Sequence, residues 1–293
     1  MTYKAAILGS ENTHAVSFAK ELLAGYLPDV TLIGAFGTDE AANQVLRDMG
    51  VPFVTNDPYA FVGKVDLCII TARHGDLHHT YGMPYLKAGT AMWIDKPLCV
   101  SFALAQEMID VAIATNTPIS GGSFVPRSEG VQSVKTATQA LNNKGKICGG
   151  TVVAPVRSEA EYGGFYFYAQ HLIEIVLEIF GENVKSVFAS QGPDGFSGIM
   201  RYDAFDVCCL YHEKNFHYDV CVCMEEGSEV CHLTPSDIAK LHFHSLDDMA
   251  YMLKEGHPRR PYETLLHPLR ILRAMGDAIG DGQFHDISAY YYT

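Results

Sequence analysis

Lys96 stands at the end of a short apolar strand, in the run AMWIDKP over residues 91–97. Pro97 disfavours a helical conformation at the residue before it, so Lys96 is expected to stay extended at the strand end. Open α/β sheets hold their ligands at that carboxyl edge. A lysine there can carry a proton to or from a hydroxyl, or polarise a carbonyl. A second candidate is His171, inside YAQHLIEIVLEIFG (168–181). Leu172, Ile173, Ile175, Val176 and Leu177 make that helix apolar on nearly every side. His171 is therefore either a core histidine satisfied by a neighbour such as Glu174, or a group that transfers protons. The third feature is the turn Gly9-Ser10-Glu11-Asn12-Thr13, which opens a helix whose first N–H groups can meet a phosphate. A dinucleotide turn would have glycine again at residue 11, yet Glu11 puts a carboxylate there. Glu11 is expected to point into solvent while the backbone N–H groups of Ser10 to Thr13 still reach the phosphate.

The elements that must position these residues alternate in type. Ala5–Leu8, VTLIGAF (30–36), VDLCIIT (65–71) and AMWID (91–95) read as strands. The third is apolar on both faces, as in a parallel sheet covered by helices. Helices are expected after Gly9, over 39–50, 80–89 and 101–116, the last with Ser101 as N-cap. This alternation predicts a doubly wound α/β sheet. After about Gly121 the pattern changes. A strand begins near Ile147, a helix ends at Gly181, and strand-like runs follow at 184–190, 203–212, 216–224 and 228–234. Glu213–Asn215 is read as a hairpin connection. A closing helix runs over roughly 262–279. The expectation is a Rossmann-type domain over 1–121 and an α+β domain with a mostly antiparallel sheet over 122–293, the closing helix being able to pack back on the first.

Bulk properties narrow the function. Of 293 residues 48% are hydrophobic, enough for one large core or two ordinary ones. The formal net charge of −13, with no basic block, argues against binding nucleic acid. No apolar run is long enough for a bilayer, and the first residues lack a signal-peptide pattern. Eight scattered cysteines fit free thiols in a reducing cytoplasm. Cys208, Cys209, Cys221, Cys223 and Cys231, with His212, His217 and His232, lack the spacing of a zinc knuckle and are expected to hold no metal. His242 and His244 are read on one strand face, and Arg259 and Arg260 as a solvated loop.

Residues 78–101, HHTYGMPYLKAGTAMWIDKPLCVS, resemble the Gfo/Idh/MocA family of NAD(P)-dependent oxidoreductases. The features shared are Thr71, His78, the helix end Ala88-Gly89, a strand, and Asp95-Lys96-Pro97 in place of Glu-Lys-Pro. SFVPRSEG…GKICGGTVV is similar to the family's crossover into its second domain, GGFYFYAQHLIEIVLEIFG to its histidine helix, and GHPRRPYETLLHPLRILRAMGDAI to its closing helix. The likeness spans nearly the whole chain. It implies that Lys96 orients the substrate hydroxyl and relays its proton. It implies that His171 acts as general base or hydrogen-bonds the reacting oxygen. It places NAD or NADP at Gly9, Ser10, Glu11, Asn12, Thr13, Thr71, His78, Lys96 and Pro97.

Departures from the family are specific. Phe167 stands where many members hold an aspartate, flanked by Tyr166 and Tyr168; Tyr168 is taken as a third catalytic candidate. His14 replaces the third glycine. Gly37 replaces the acid that grips the adenine ribose, and no arginine nearby suits a 2′-phosphate. Ala72 replaces a proline in a loop about two residues longer than usual. The expected protein is a cytoplasmic NAD(P)-dependent dehydrogenase of a sugar, polyol or related small hydroxy compound. It is expected to pair through the C-terminal sheet into a homodimer or homotetramer. Two alternatives stand: a non-catalytic binding or regulatory protein with lost dinucleotide affinity, and a lyase or hydrolase acting through transient oxidation.

Overall fold

The computed structural model describes residues 2–141, 146–157, 163–239 and 241–291, and of Leu141 and Phe167 the backbone only. The chain divides into two compact units. One holds the residues up to Gly122 together with His242–Leu266; the other holds Ser123–Leu241 and the residues from His267 onward.

The first unit opens with β1 (Tyr3–Leu8), α1 (Thr13–Leu23), β2 (Val30–Phe36) and α2 (Glu40–Asp48). It continues through β3 (Val54–Thr55), β4 (Leu67–Ile70), α3 (Asp76–Lys87), β5 (Ala91–Ile94), α4 (Phe102–Ala114) and β6 (Ile119–Gly121). All neighbouring strands pair parallel in the order β3-β2-β1-β4-β5-β6. The strand order reverses between β1 and β4, where such sheets bind ligands. Helices on both faces explain why β4 is apolar at every position. Leu67 and Ile69 join Phe18, Leu22 and Trp93 on one side. Ile70 lies on the other, against α3: a Cβ added at Gly82 would sit 2.9 Å from Met92 Sδ and 3.0 Å from Ile70 Cδ1. Helix starts are capped as their residue types predict. Asn12 accepts from His14 N–H, Asp39 from Ala41 and Ala42, and Ser101 from Leu104.

The second unit comprises α5 (Glu129–Leu141), β7 (Ile147–Pro155), α6 (Phe165–Phe180), β8 (Ser186–Gly192), β9 (Gly195–Arg201), β10 (Asp206–His212), β11 (Tyr218–Met224), β12 (Gly227–Leu233) and the single turn α7 (Pro235–Ile238). The chain then forms α8 (Phe243–Glu255), which belongs to the first unit, α9 (Glu263–Asp281) and β13 (His285–Asp286). The second sheet runs β12-β11-β7-β10-β9-β8-β13. Only β7 and β10 pair parallel. The sequence reading made β10 and β11 a hairpin across Glu213–Asn215. Instead β7 lies between them, with Thr151 opposite both Cys208 and Cys221. A short connection suggests adjacent strands, but β7 offers a partner for both edges and takes the place between them. Along this sheet one face packs against α5, α6 and α9 through Val134, Ile173, Val176, Ile271 and Met275.

The strand expected around His242 and His244 is also overturned. Leu246, Met249 and Met252 recur at helical spacing and bury against the first core, which makes the segment α8.

Trp93 is the chain's one tryptophan, and the Phe18 ring meets it edge-on at 5.0 Å. Both are buried in the first unit. Phe18→Ala is expected to cost this unit about 3–5 kcal/mol, seen as a lower urea midpoint when unfolding is followed by Trp93 fluorescence.

Candidate active site

In the first unit the residues singled out by sequence gather at the carboxyl ends of β1, β4 and β5. The centre is Asp95, 1% exposed. Its Oδ2 lies 2.6 Å from His14 Nδ1 and accepts from Asn12 Nδ2 at 3.3 Å, and its Oδ1 accepts the Lys96 N–H at 2.9 Å. Burial pushes the carboxyl pKa up, but the His14 charge and hydrogen bond, with Lys96, outweigh it and hold the group ionised below the usual range. His14 thus fills the third-glycine position with a charge partner for the strand end, a link that spacing alone did not reveal. Beside it Lys96 is 3% exposed. Burial pushes its pKa down to about 8; the Asp95 charge opposes this and the Arg73 charge adds to it. A lysine so placed is a proton carrier near neutrality rather than a fixed cation.

The turn after β1 is shaped for a phosphate. Gly9 has φ 113°, and a Cβ there would lie 2.2 Å from the Ala72 nitrogen, so only glycine permits this approach. Thr71 Oγ1 donates to the Gly9 carbonyl at 2.9 Å, which assigns Thr71 to holding the turn. Ser10 N–H is spent on the Phe36 carbonyl at 3.1 Å. Among the described residues the N–H groups of Glu11 and Thr13 have no acceptor, and both sit at the start of α1. That pair, with Gly9, fits a dinucleotide pyrophosphate.

Glu11 does not point into solvent as expected. It is half-buried, and its Oε1 accepts the Arg73 N–H at 3.2 Å. The phenol of Tyr81, whose pKa rises through burial and then through the Glu11 charge, lies on the same side. Glu11 therefore secures the long loop between β4 and α3. Gly37 is equally committed. A Cβ there would lie 1.7 Å from Ser10 Oγ and 2.7 Å from Asn43 Oδ1, so the Ser10 side chain fills the volume an acid would need. Ser10, placed by sequence at the cofactor, is 2% exposed and directs its hydroxyl into this gap.

His78 is also reassigned by its surroundings. It is fully buried, with Nδ1 2.7 Å from the Pro97 carbonyl and Nε2 2.7 Å from the Ala72 carbonyl. Burial pushes its pKa down while the two carbonyls pull the other way. Both nitrogens face backbone, so His78 clasps the Lys96-Pro97 loop to the Ala72 loop instead of meeting a cofactor.

In the second unit His171 lies on α6, 4% exposed. Its Nδ1 is 2.6 Å from Ser123 Oγ. Ser123 Oγ accepts the Val125 N–H at 3.1 Å, and the Ser123 N–H donates to both Glu174 oxygens at 3.0 and 3.1 Å. Gln170 Nε2 donates to Glu174 at 2.6 Å. The rings of Phe124, Tyr168 and Tyr218 surround the imidazole at 6.0–6.2 Å. Tyr168, at i−3 from His171, shares its helix face. Tyr166 lies away from it, with its hydroxyl toward α9 near Gly276. The side chain of Phe167 lies outside the described residues. No sequence signal pointed to Ser123, which is 48 positions from its partner.

Among the described residues no three His, Cys, Asp or Glu side chains come together as a metal site. Cys209 is buried, whereas Cys208 and Cys223 are exposed. Among the described residues no helix is long and apolar enough to cross a membrane.

Residues 4–122 match an oxidoreductase family with an NAD-binding Rossmann fold. No curated protein matches the chain in sequence. Several solved structures share its fold. GenD2 from gentamicin A biosynthesis, in complex with NAD, is 15% identical with a TM-score of 0.86 over 97% of this chain and 96% of its own. Myo-inositol 2-dehydrogenase from Lactobacillus plantarum is 15% identical with a TM-score of 0.84 over 98% and 99%. An oxidoreductase from Agrobacterium radiobacter, in complex with NAD+, L-tartaric acid and magnesium, is 13% identical with a TM-score of 0.79 over 99% of each.

The Glu11 geometry has a direct consequence. A carboxylate facing the pyrophosphate would weaken binding, and its removal would tighten it about tenfold, equivalent to about 1.4 kcal/mol. Because Glu11 is turned to the Arg73 amide, Glu11→Gln is expected to change NADH affinity by less than about threefold in a calorimetric titration.

Proposed function

Residues 4–122 match the model of the Gfo/Idh/MocA oxidoreductases, and from that match we propose that the protein is an NAD(P)-dependent dehydrogenase of a secondary alcohol in a sugar, polyol or related hydroxy compound. The observation that carries this reading is Lys96, a buried lysine at the end of β5 with its pKa near 8, set beside the ionised Asp95. The dinucleotide would be held by Gly9 and the N–H groups of Glu11 and Thr13, and would supply the hydride acceptor. The chain's own part is proton handling. In the neutral form the Lys96 amine takes the hydroxyl proton as the alcohol becomes a carbonyl; in the reverse direction the ammonium returns it. Asp95, held ionised below the usual carboxylate range, keeps a fixed charge next to that amine, so it is the lysine that changes protonation in the working range.

A polyol or sugar substrate draws support from the likeness to the Lactobacillus plantarum inositol dehydrogenase across both chains. With neither an acid nor a base at residue 37, the choice between NAD and NADP falls to other residues. The second unit's open sheet face carries Val153, Ile199, Cys208, Leu210 and Val230, the last 67% exposed. An apolar patch of this kind is rarely left uncovered, and a second copy of the chain is its proposed cover.

Two measurements test these readings. Alcohol oxidation is expected to rise as pH climbs through about 8, because the neutral amine is the proton acceptor. Lys96→Met is expected to lower turnover by about 10²-fold, to remove that pH limb, and to leave NADH binding in place. Unchanged turnover in the folded variant would take Lys96 out of the reaction. Light scattering at micromolar concentration is expected to give a dimer or tetramer mass, and a monomer would refute the proposed cover.

A further inference from the structure

In a dinucleotide fold the adenine ribose lies at the end of the second strand, where an acid takes the 2′-hydroxyl of NAD or a base takes the 2′-phosphate of NADP. Residue 37 cannot take part in that choice. The space a side chain would need there holds Ser10 Oγ, and the polar groups of Gly37 are already spent. Its N–H donates to the Thr55 carbonyl at 3.1 Å, and its carbonyl accepts from Asn43 Nδ2 at 2.9 Å. The residues after it carry charge instead. Asp39 is the N-cap of α2, and its Oδ1 accepts the N–H groups of Ala41 at 2.8 Å and Ala42 at 3.1 Å. A helix start that could have held a phosphate therefore already holds a carboxylate. Glu40 follows directly, in the first turn. The one base on α2 is Arg47, two turns along the helix. It reaches back to the Glu40 carboxylate at 2.6 and 3.5 Å and to Gln44 Oε1 at 3.2 Å. The Arg47 hydrogen bond holds the Glu40 carboxyl below its ordinary range, while desolvation and the Asp39 charge work against it.

We propose that this chain selects NAD over NADP by charge exclusion: Asp39 and Glu40 repel a 2′-phosphate, and Glu40 withholds Arg47 from it. This rests on the reading above that the first unit takes a dinucleotide. The selection moves from residue 37 to the first turn of α2. It is also the opposite of what Gly37 alone suggests, since losing the acid removes a repulsion that a 2′-phosphate would meet. That phosphate carries close to two negative charges, and the hydroxyl of NAD carries none. Two carboxylates beside one paired guanidinium therefore discriminate on charge alone. Asp39 and Glu40 are both exposed, so the discrimination must weaken as salt screens them.

The test is calorimetric titration of the whole protein with NADH and with NADPH. At low ionic strength wild type is expected to bind NADH at least about tenfold more tightly. The gap is expected to narrow in about 0.5 M sodium chloride. Glu40→Gln removes a charge and releases Arg47. It is expected to tighten NADPH binding about tenfold while NADH affinity changes by less than about threefold. Arg47→Ala added to that variant is expected to give back part of the gain. Asp39→Asn keeps a cap of equal quality and is expected to shift NADPH in the same direction by about threefold. NADPH binding as tight as NADH in wild type would overturn the proposal, whether or not any variant folds. So would a preference for NADH that neither salt nor the neutral variants reduce, because the exclusion would then be steric. If neither dinucleotide binds, the dehydrogenase reading fails and the proposal with it. If both bind equally, that reading stands and the charge exclusion alone falls.

Discussion

The buried carboxylate of Asp95 is the interaction on which the first unit's chemistry depends. Removing a charge from water is costly unless it is paired and hydrogen-bonded. Here three donors meet that cost: Asn12 and His14 from the start of α1, and the Lys96 N–H from its own strand end. The same contacts tie β1 to β5 across the intervening β4. They also set the electrostatic surroundings of Lys96, whose amine is buried but not isolated. A lysine equally buried without Asp95 would be pushed further from its charged form, and one left in water would remain a permanent cation. The intermediate position makes it useful for proton exchange near neutrality.

Around this centre, residues that look like ligand groups are used to close loops. Glu11 binds the Arg73 amide, Thr71 binds the Gly9 carbonyl, and His78 joins the carbonyls of Ala72 and Pro97. The loop between β4 and α3 is long and has Ala72 where the family it resembles has a proline. Glu11 and His78 supply restraints on both sides of it. The carboxylate that seems wrong for a phosphate turn is therefore consistent with one. It is spent on backbone, and among the described residues the N–H groups of Glu11 and Thr13 have no acceptor. Ser10 and Gly37 trade places in a similar way, since the serine occupies the volume above the glycine and excludes any larger residue there.

The second unit solves a different problem, placing one histidine in a nearly apolar helix. Such a helix is buried on most sides, and a polar ring in it needs a partner of defined chemistry. Ser123, anchored through Glu174 and Gln170, is that partner, and Phe124, Tyr168 and Tyr218 limit how the ring can turn. The sheet beneath contributes in another way. Its inner face makes the core, and its outer face alternates out with residues such as Leu210 and Val230, as a half-buried sheet requires.

The sequence by itself determined the parallel first sheet, because strands apolar on both faces alternating with capped helices admit little else. It also determined that Lys96 stands at a strand end and that His171 sits in a buried helix. These follow from local patterns of two to seven residues. The strand β7 between β10 and β11 was not legible, since which edges pair depends on partners far along the chain. Nor was α8, whose apolar spacing was outweighed by two alternating histidines. The bonds His14–Asp95, Glu11–Arg73 and Ser123–His171 join residues 81, 62 and 48 positions apart. No spacing rule reaches that far. Side chains of the right type were visible in the sequence, but what each one touches, and so whether it meets a ligand or holds a loop, was decided only when the fold brought distant backbone within hydrogen-bond range.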